Sequence, residues 1–207
     1  MPLPTLEICK FVANEAYRTD PTAISSALDV LLNAPGCLAL YHGLDLEDPQ
    51  YFHVVVVWED IQFHRALEQD EVAYPTLLAG IKAIAVSREY LLHANFAIDV
   101  NKALNAPLTE LAWWTIPPVA DKAVVVNLVQ TLMTTIHREC EGEILAGGMG
   151  QCVEENNKLC VCLGWHSLER FKASIQGSPE AVEIIDRIKG IAELELKFAK
   201  LTKCVKN

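Results

Sequence analysis

A self-similarity at a fixed spacing constrains this chain more than any other feature. Trp58 and Trp165 lie 107 positions apart, and the same spacing carries Leu38-Ala39 onto Leu145-Ala146 and Gly43 onto Gly150. It also carries Ala66 onto Ala173, Ile81-Lys82 onto Ile188-Lys189, Ile84 onto Ile191 and Val12-Ala13 onto Val119-Ala120. Such a recurrence across a 207-residue chain marks two copies of one structural unit, residues 1–104 and 105–207. The polar stretch 101–107 joins them as a short connector.

Both halves read in one order. A first strand is expected at residues 6–13 and again at 110–116. Asp20 with Pro21, and Asp121 in the second half, open a helix by supplying a side-chain cap to its unpaired N–H groups. Ile24, Ala27, Leu28, Leu31 and Leu32 then form one apolar stripe, matched by Val125, Leu128, Val129, Leu132 and Ile136. Pro35-Gly36 stops the first helix. A hairpin follows, residues 37–42 with 51–58 and 144–149 with 158–165. Its turn chemistry lies in Glu47-Asp48-Pro49 and Glu155-Asn156-Asn157. Asp60 and Ser167 cap a second helical stretch, interrupted near Tyr74-Pro75 and Ser178-Pro179, and last strands fall at 89–98 and 194–202. The order βαββαβ, twice over, is that of two ferredoxin-like units in an α+β chain. The third strands, YFHVVVVW and LCVCLGW, are apolar on both faces, so each face needs a cover. The simplest cover for the second face is the other unit's sheet, giving a single-chain α+β barrel around a filled or ligand-holding interior.

Composition excludes several classes. A net charge of −10 with no basic cluster argues against nucleic acid and against anionic membrane. No apolar run reaches the roughly 18 residues of a membrane span, and the N-terminus lacks a basic, apolar leader. Seven cysteines, several inside apolar strands, suit a reduced cytoplasmic protein better than a disulfide framework. Cys160 and Cys162 share a strand face, with Cys140 and Cys152 nearby, but no pair has zinc-site spacing, so no metal site is expected. The run Gly147-Gly148-Met149-Gly150 is no phosphate loop and suits a bulge or close packing in the second strand.

The segments Pro35-Gly36-Cys37-Leu38, Leu46-Glu47-Asp48-Pro49, Phe52 and Trp58-Glu59-Asp60 resemble, in gapless spacing from Gly36 to Trp58, the antibiotic-biosynthesis-monooxygenase-like (ABM) branch of the dimeric α+β barrel superfamily. The tandem organisation resembles fungal proteins of this kind. The resemblance implies a barrel made by two copies, here fused, so that a monomer suffices while a homodimer stays compatible. It implies a small apolar molecule as partner. It places Trp58 and Trp165 at a position that lines the pocket in several relatives. Those relatives include cofactor-free quinone-forming monooxygenases, polyketide cyclases and haem-degrading proteins. Haem is not expected, because the ligand position falls at Glu68 and Ile175, and His64 comes about one turn early. No cofactor is expected.

If Trp58 faces the barrel interior, Phe52, Val54 and Val56 share its face by the strand period of two. The cofactor-free oxygenases carry polar residues there, so Val54 and Val56, with Val161 and Leu163 in the second half, depart from the pattern. Trp113 and Trp114, adjacent on a strand, must point to opposite faces. The remaining acid–base candidates are His42, placed opposite Phe52 on the Trp58 face, and His93, with Tyr41, Tyr51 or Tyr90 as phenol partner. Glu7 and Glu110 lie near strand starts, where exposure is expected. The reading is a small-molecule pocket used by a cofactor-independent enzyme on an apolar aromatic or polyketide-like substrate, through cyclisation, isomerisation or oxygenation by proton transfer. Its alternative is a non-catalytic barrel that binds a hydrophobic ligand, a stress-associated role included.

Overall fold

A computed structural model describes residues 4–205. The described residues divide into two compact units, 4–95 with 199–205, and 96–198. Both are mixed α+β.

In the first unit, β1 (Thr5–Ala13) is followed by α1 (Glu15–Thr19), a 3₁₀ turn (Pro21–Ile24) and α2 (Ser25–Asn33). The hairpin β2 (Cys37–Leu44) and β3 (Tyr51–Trp58) comes next, then α3 (Ile61–Glu68), α4 (Ala73–Ile84) and β4 (Ala85–Phe96). The strand order is β4-β1-β3-β2, and the pairs β4–β1, β1–β3 and β3–β2 are antiparallel. The caps are those the residue types dictate. The Asp60 carboxylate accepts from the Gln62 N–H at 2.8 Å, and that of Asp20 from the Thr22 N–H at 2.9 Å. Asp20 opens only the 3₁₀ turn, because an additional helix, α1, precedes it with Asn14 as its cap. Gly36 ends the α2 connection with φ +73°, where a Cβ would fall inside the Phe63 ring.

The second unit opens with α5 (Asn101–Leu104) and β5 (Leu108–Thr115), then α6 (Lys122–Glu139), capped by Asp121. The hairpin β6 (Ile144–Cys152) and β7 (Lys158–Trp165) leads to α7 (Leu168–Gln176), α8 (Pro179–Lys189) and β8 (Glu193–Ala199). Ser167 caps α7, and Ser178 caps α8 with Pro179 in its first turn. The strand order is β8-β5-β7-β6, the sequence of positions found in the first unit. Of the two uses expected for the glycine run, Gly147 shows close packing: φ is +134° and a Cβ would meet the Cys162 carbonyl oxygen at 2.1 Å, while the register shift of β6 lies just before the run, between Ile144 and Ala146.

Two sequence expectations need correction. The last strand, expected at 194–202, is two elements: β8, and a short β9 (Thr202–Cys204) that pairs with Leu40–His42 of β2. The spacing of 107 does not hold in the first strands. Thr5 pairs with Trp58 and Leu108 pairs with Trp165, so these strands correspond at a spacing of 103. Val119-Ala120 lies instead in the turn after β5, because the second unit spends four more residues between its first strand and its hairpin.

Both third strands are buried on both faces, from Phe52 to Trp58 and from Leu159 to Trp165. In each unit the face carrying the terminal tryptophan packs against that unit's own helices. Phe52, Val54, Val56 and Trp58 meet Leu28, Leu31, Leu67 and Leu77, while Leu159, Val161, Leu163 and Trp165 meet Val129, Leu132 and Ile184. Each large apolar side chain so removed from water contributes roughly 1.5–3 kcal/mol.

Candidate functional sites

In each unit the terminal tryptophan of the third strand hydrogen-bonds a carboxylate on the first strand. Trp58 Nε1–H donates to Glu7 Oε2 at 2.6 Å, and Trp165 Nε1–H donates to Glu110 Oε2 at 2.7 Å. Glu7 and Glu110 are 4% and 7% exposed, against the expectation of surface carboxylates. The reason is local: both sit two residues into a central strand, on the face that the helices cover, and the indole N–H supplies the partner that a buried carboxyl requires.

The surroundings of the two pairs differ. In the second unit Glu110, Ala112 and Trp114 from β5 form the floor of a cavity of about 250 Å³. Leu132 and Ile136 of α6 and Phe171 of α7 are among its apolar walls, and Asp186 and Lys189 of α8, both exposed, stand at its rim. Phe171 meets the Trp165 ring edge-on at 5.1 Å. With one hydrogen-bond donor in an apolar enclosure, burial dominates, and it raises the Glu110 carboxyl from 4.5 to about 7 against the opposing pull of the Trp165 N–H.

In the first unit the position 107 before Phe171 is His64 of α3, and its ring stacks on Trp58 at 5.5 Å. His64 Nε2 lies 3.6 Å from Glu7 Oε2, and His64 Nδ1 lies 2.9 Å from His93 Nε2. Strand β4 delivers His93 directly opposite Glu7 of β1, so the two project from one face. Glu7, His64 and His93 are all buried, and one donor atom from each falls within 4.8 Å of the others. Cys9 Sγ–H donates to Glu7 Oε1 at 3.2 Å. Burial lowers His64 from the ordinary histidine value, with Glu7 pulling the other way. The space beside Glu7 and His64 is small, about 40 Å³. Two larger clefts of the first unit, about 530 and 430 Å³, are more open, and no buried titratable group lines either.

The expected site residues are distributed as follows. His42 shares the Trp58 face, as expected, but lies opposite Val54 rather than Phe52, and that face packs against the unit's own helices instead of lining a barrel interior. Its phenol partner is Tyr17 of α1, with the hydroxyl 2.8 Å from Nδ1, rather than Tyr41, Tyr51 or Tyr90. Burial lowers His42 and raises the Tyr17 hydroxyl. His93 lies in β4, with β1 and β3 between it and the His42 strand, so the two histidines are in separate places. Tyr90 pairs with Lys10, three residues from Glu7, and so projects from the sheet face opposite to His93. Its ring, and more closely that of Tyr51, flanks the Lys10 ammonium at 5.8 and 4.5 Å. Tyr41 is buried on the face opposite to His42. Phe52 stacks on Phe11 and meets the Tyr17 ring at a tilt. Trp58 and Trp165 face their own helices and hold the carboxylates. Of the adjacent pair, Trp114 faces the helices and the cavity, and Trp113 faces the other way, also buried.

Glu7, Glu110, His64 and Tyr17 are thus the members that sequence reasoning misses. Registering the first strands at 103 brings Glu7 onto Glu110, a recurrence in step with the tryptophans that could have flagged both.

No protein-family model matches the chain, and no curated protein matches it. Solved structures do match. A protein described as anthrone oxidase-like superposes with a TM-score of 0.75 at 10% identity, over 98% of this chain and 94% of that one. A protein from Fusobacterium nucleatum, provisionally named a monooxygenase, gives 0.70 at 14% identity, over 100% and 96%. Another so named, from Lactobacillus acidophilus, gives 0.68 at 16% identity, over 98% and 96%. At these identities the likeness establishes a shared fold.

Proposed function

We propose that the second unit holds a small apolar, aromatic or polyketide-like molecule and acts on it by proton transfer without a tightly bound cofactor. One observation carries the reading: a carboxyl poised near neutrality, Glu110, lines an apolar cavity of about 250 Å³. Ligand sites are commonly ~300–1,000 Å³, so this one suits a compact ring system. The same strand order in both units, and a tryptophan–carboxylate pair in each, support the tandem origin read from the sequence.

A group with a pKa near the working pH is well matched to general acid–base catalysis. Ionised Glu110 accepts a proton from an acidic C–H or O–H of the substrate. The Trp165 N–H holds the carboxylate in place, and the apolar walls exclude competing water. The substrate anion then cyclises, is reprotonated elsewhere, or meets dissolved dioxygen. In the last case an activated CH₂ becomes C=O, with one O₂ consumed and one water released.

Anthrone is a suitable first probe, given the name of one structural neighbour. Oxygen uptake over the uncatalysed background is expected to rise with pH through about 7 and to be lost in Glu110→Gln. Turnover that survives in Glu110→Gln overturns the assignment of the base. Binding of anthrone and related aromatics without turnover leaves the non-catalytic binding reading in its place.

A further inference from the structure

We propose that Glu7, His64 and His93 form a binding site for one divalent transition-metal ion in the first unit, with zinc the ion of first choice. Two imidazoles and one carboxylate are a complete protein ligand set for a three-ligand zinc site, and also for other divalent metals that keep a coordination position open.

The geometry is assembled from three elements. β1 and β4 present Glu7 and His93 side by side, and α3 lowers His64 onto them. Donor atoms bound at about 2.0–2.1 Å to one ion lie roughly 3–3.5 Å apart. The contacts of 2.9 Å between His64 Nδ1 and His93 Nε2, and 3.6 Å between His64 Nε2 and Glu7 Oε2, bracket that separation. The two contacts use different ring nitrogens of His64, only one of which can bind the ion, so binding requires the ring to turn and draw together donors that lie within 4.8 Å of one another.

The surroundings add two points. Glu7 is oriented by the Trp58 N–H on Oε2 and the Cys9 thiol on Oε1, the kind of outer support that fixes a ligating carboxylate. The space of about 40 Å³ bounded in part by Glu7 and His64 is enough for a single water, whose share of liquid volume is ~30 Å³, as a fourth ligand. The second unit keeps the tryptophan–carboxylate pair but has Phe171 where His64 stands, so this reading confines the ion to the first unit.

The test is titration of the metal-stripped full-length protein with Co²⁺ and with Zn²⁺. One ion per chain is expected, with visible Co²⁺ d–d absorption, displacement by Zn²⁺ and a rise in Tm on binding. His64→Gln and His93→Gln are each expected to weaken binding by more than the 10–100-fold that loss of an outer partner costs. X-ray absorption of the loaded wild-type protein covers the case in which a variant does not fold: nitrogen and oxygen neighbours near 2.0–2.1 Å are expected. Sulfur scattering near 2.3 Å, or thiolate-to-cobalt charge transfer, would place the ion on cysteine and overturn the proposal. So would unchanged affinity in a folded His93→Gln, or no uptake at micromolar ion. The four groups Trp58, Glu7, His64 and His93 would then be a hydrogen-bonded relay that serves stability alone.

Discussion

Glu110→Gln tests the most consequential physical claim, that a carboxyl in the second unit stays protonated up to neutral pH. Folding moves its pKa upward, from 4.5 to about 7. The folded state therefore binds the proton more tightly than the unfolded chain does. That contribution is fully present below pH ~4.5, declines as pH rises towards 7 and is absent above it. At 1.36 kcal/mol per unit, the whole effect is about 3 kcal/mol. Glutamine keeps the shape, and its carbonyl can still accept from Trp165 Nε1–H, but it has no proton to lose. Wild type and variant should therefore have nearly equal stability at pH 4.5. Above pH 7 the variant should be the more stable by about 3 kcal/mol. Urea unfolding of both proteins at half-unit steps from pH 4.5 to 8.5, followed by tryptophan fluorescence, reads the difference. Parallel pH profiles, diverging by less than about 1 kcal/mol over that range, would refute the claim that burial controls this carboxyl.

Other expectations follow from single contacts. Trp165→Phe removes the donor that holds Glu110 down, so its pKa should climb further above 7 in a carboxyl NMR titration; a fall would contradict the hydrogen bond. His42 is held below 6.5 by burial, so it favours the fold when neutral, and stability should decline as pH falls through 6.5, less so in His42→Gln. Tyr17→Phe removes the hydroxyl 2.8 Å from His42 Nδ1 and should cost about 1–3 kcal/mol in urea unfolding. Gly147→Ala puts a methyl on a backbone at φ +134° facing the Cys162 carbonyl, and a loss of at least ~1–3 kcal/mol is expected by the same assay.

What was legible in the sequence was what local chemistry decides. Asp60, Asp121 and Ser167 cap helices because a short polar side chain at the start of a helical segment has few other uses, and the apolar stripes read at 24–32 and 125–136 do pack into the cores. The buried carboxylates were not legible, because burial of a charge-bearing group depends on a partner far along the chain. Glu7 and Trp58 are 51 residues apart, and Glu110 and Trp165 are 55. Hydropathy near a strand start cannot reveal an indole N–H arriving from another strand. Tyr17 was hidden for a different reason. Asp20-Pro21 is so strong a helix-start signal that the short helix before it, which carries the phenol, reads as loop. The split of the last strand into β8 and β9 depends on the β2 edge, to which β9 pairs, and no periodicity within 194–202 records that edge.

The contrast between the two units rests on the pair of rings beside each tryptophan–carboxylate contact, His64 with His93 in the first and Phe171 with Phe198 in the second. Where α3 supplies His64, the tryptophan-bound carboxylate is met by an imidazole, a second imidazole lies within hydrogen-bonding distance of the first, and about 40 Å³ is left. Where α7 supplies Phe171, the carboxylate keeps a single donor, the walls are apolar and about 250 Å³ is open. A buried carboxyl surrounded by imidazoles is built to hold a cation or proton in place. One faced by hydrocarbon is raised towards neutrality and is suited to exchanging a proton with a guest. On this argument the two units divide the labour, and their defects should separate. Glu110→Gln should abolish turnover without changing Co²⁺ uptake, while His64→Gln should abolish Co²⁺ uptake and leave the stability advantage of Glu110→Gln above pH 7 intact. A variant in one unit that removed both properties would show that the carboxyls act as one site.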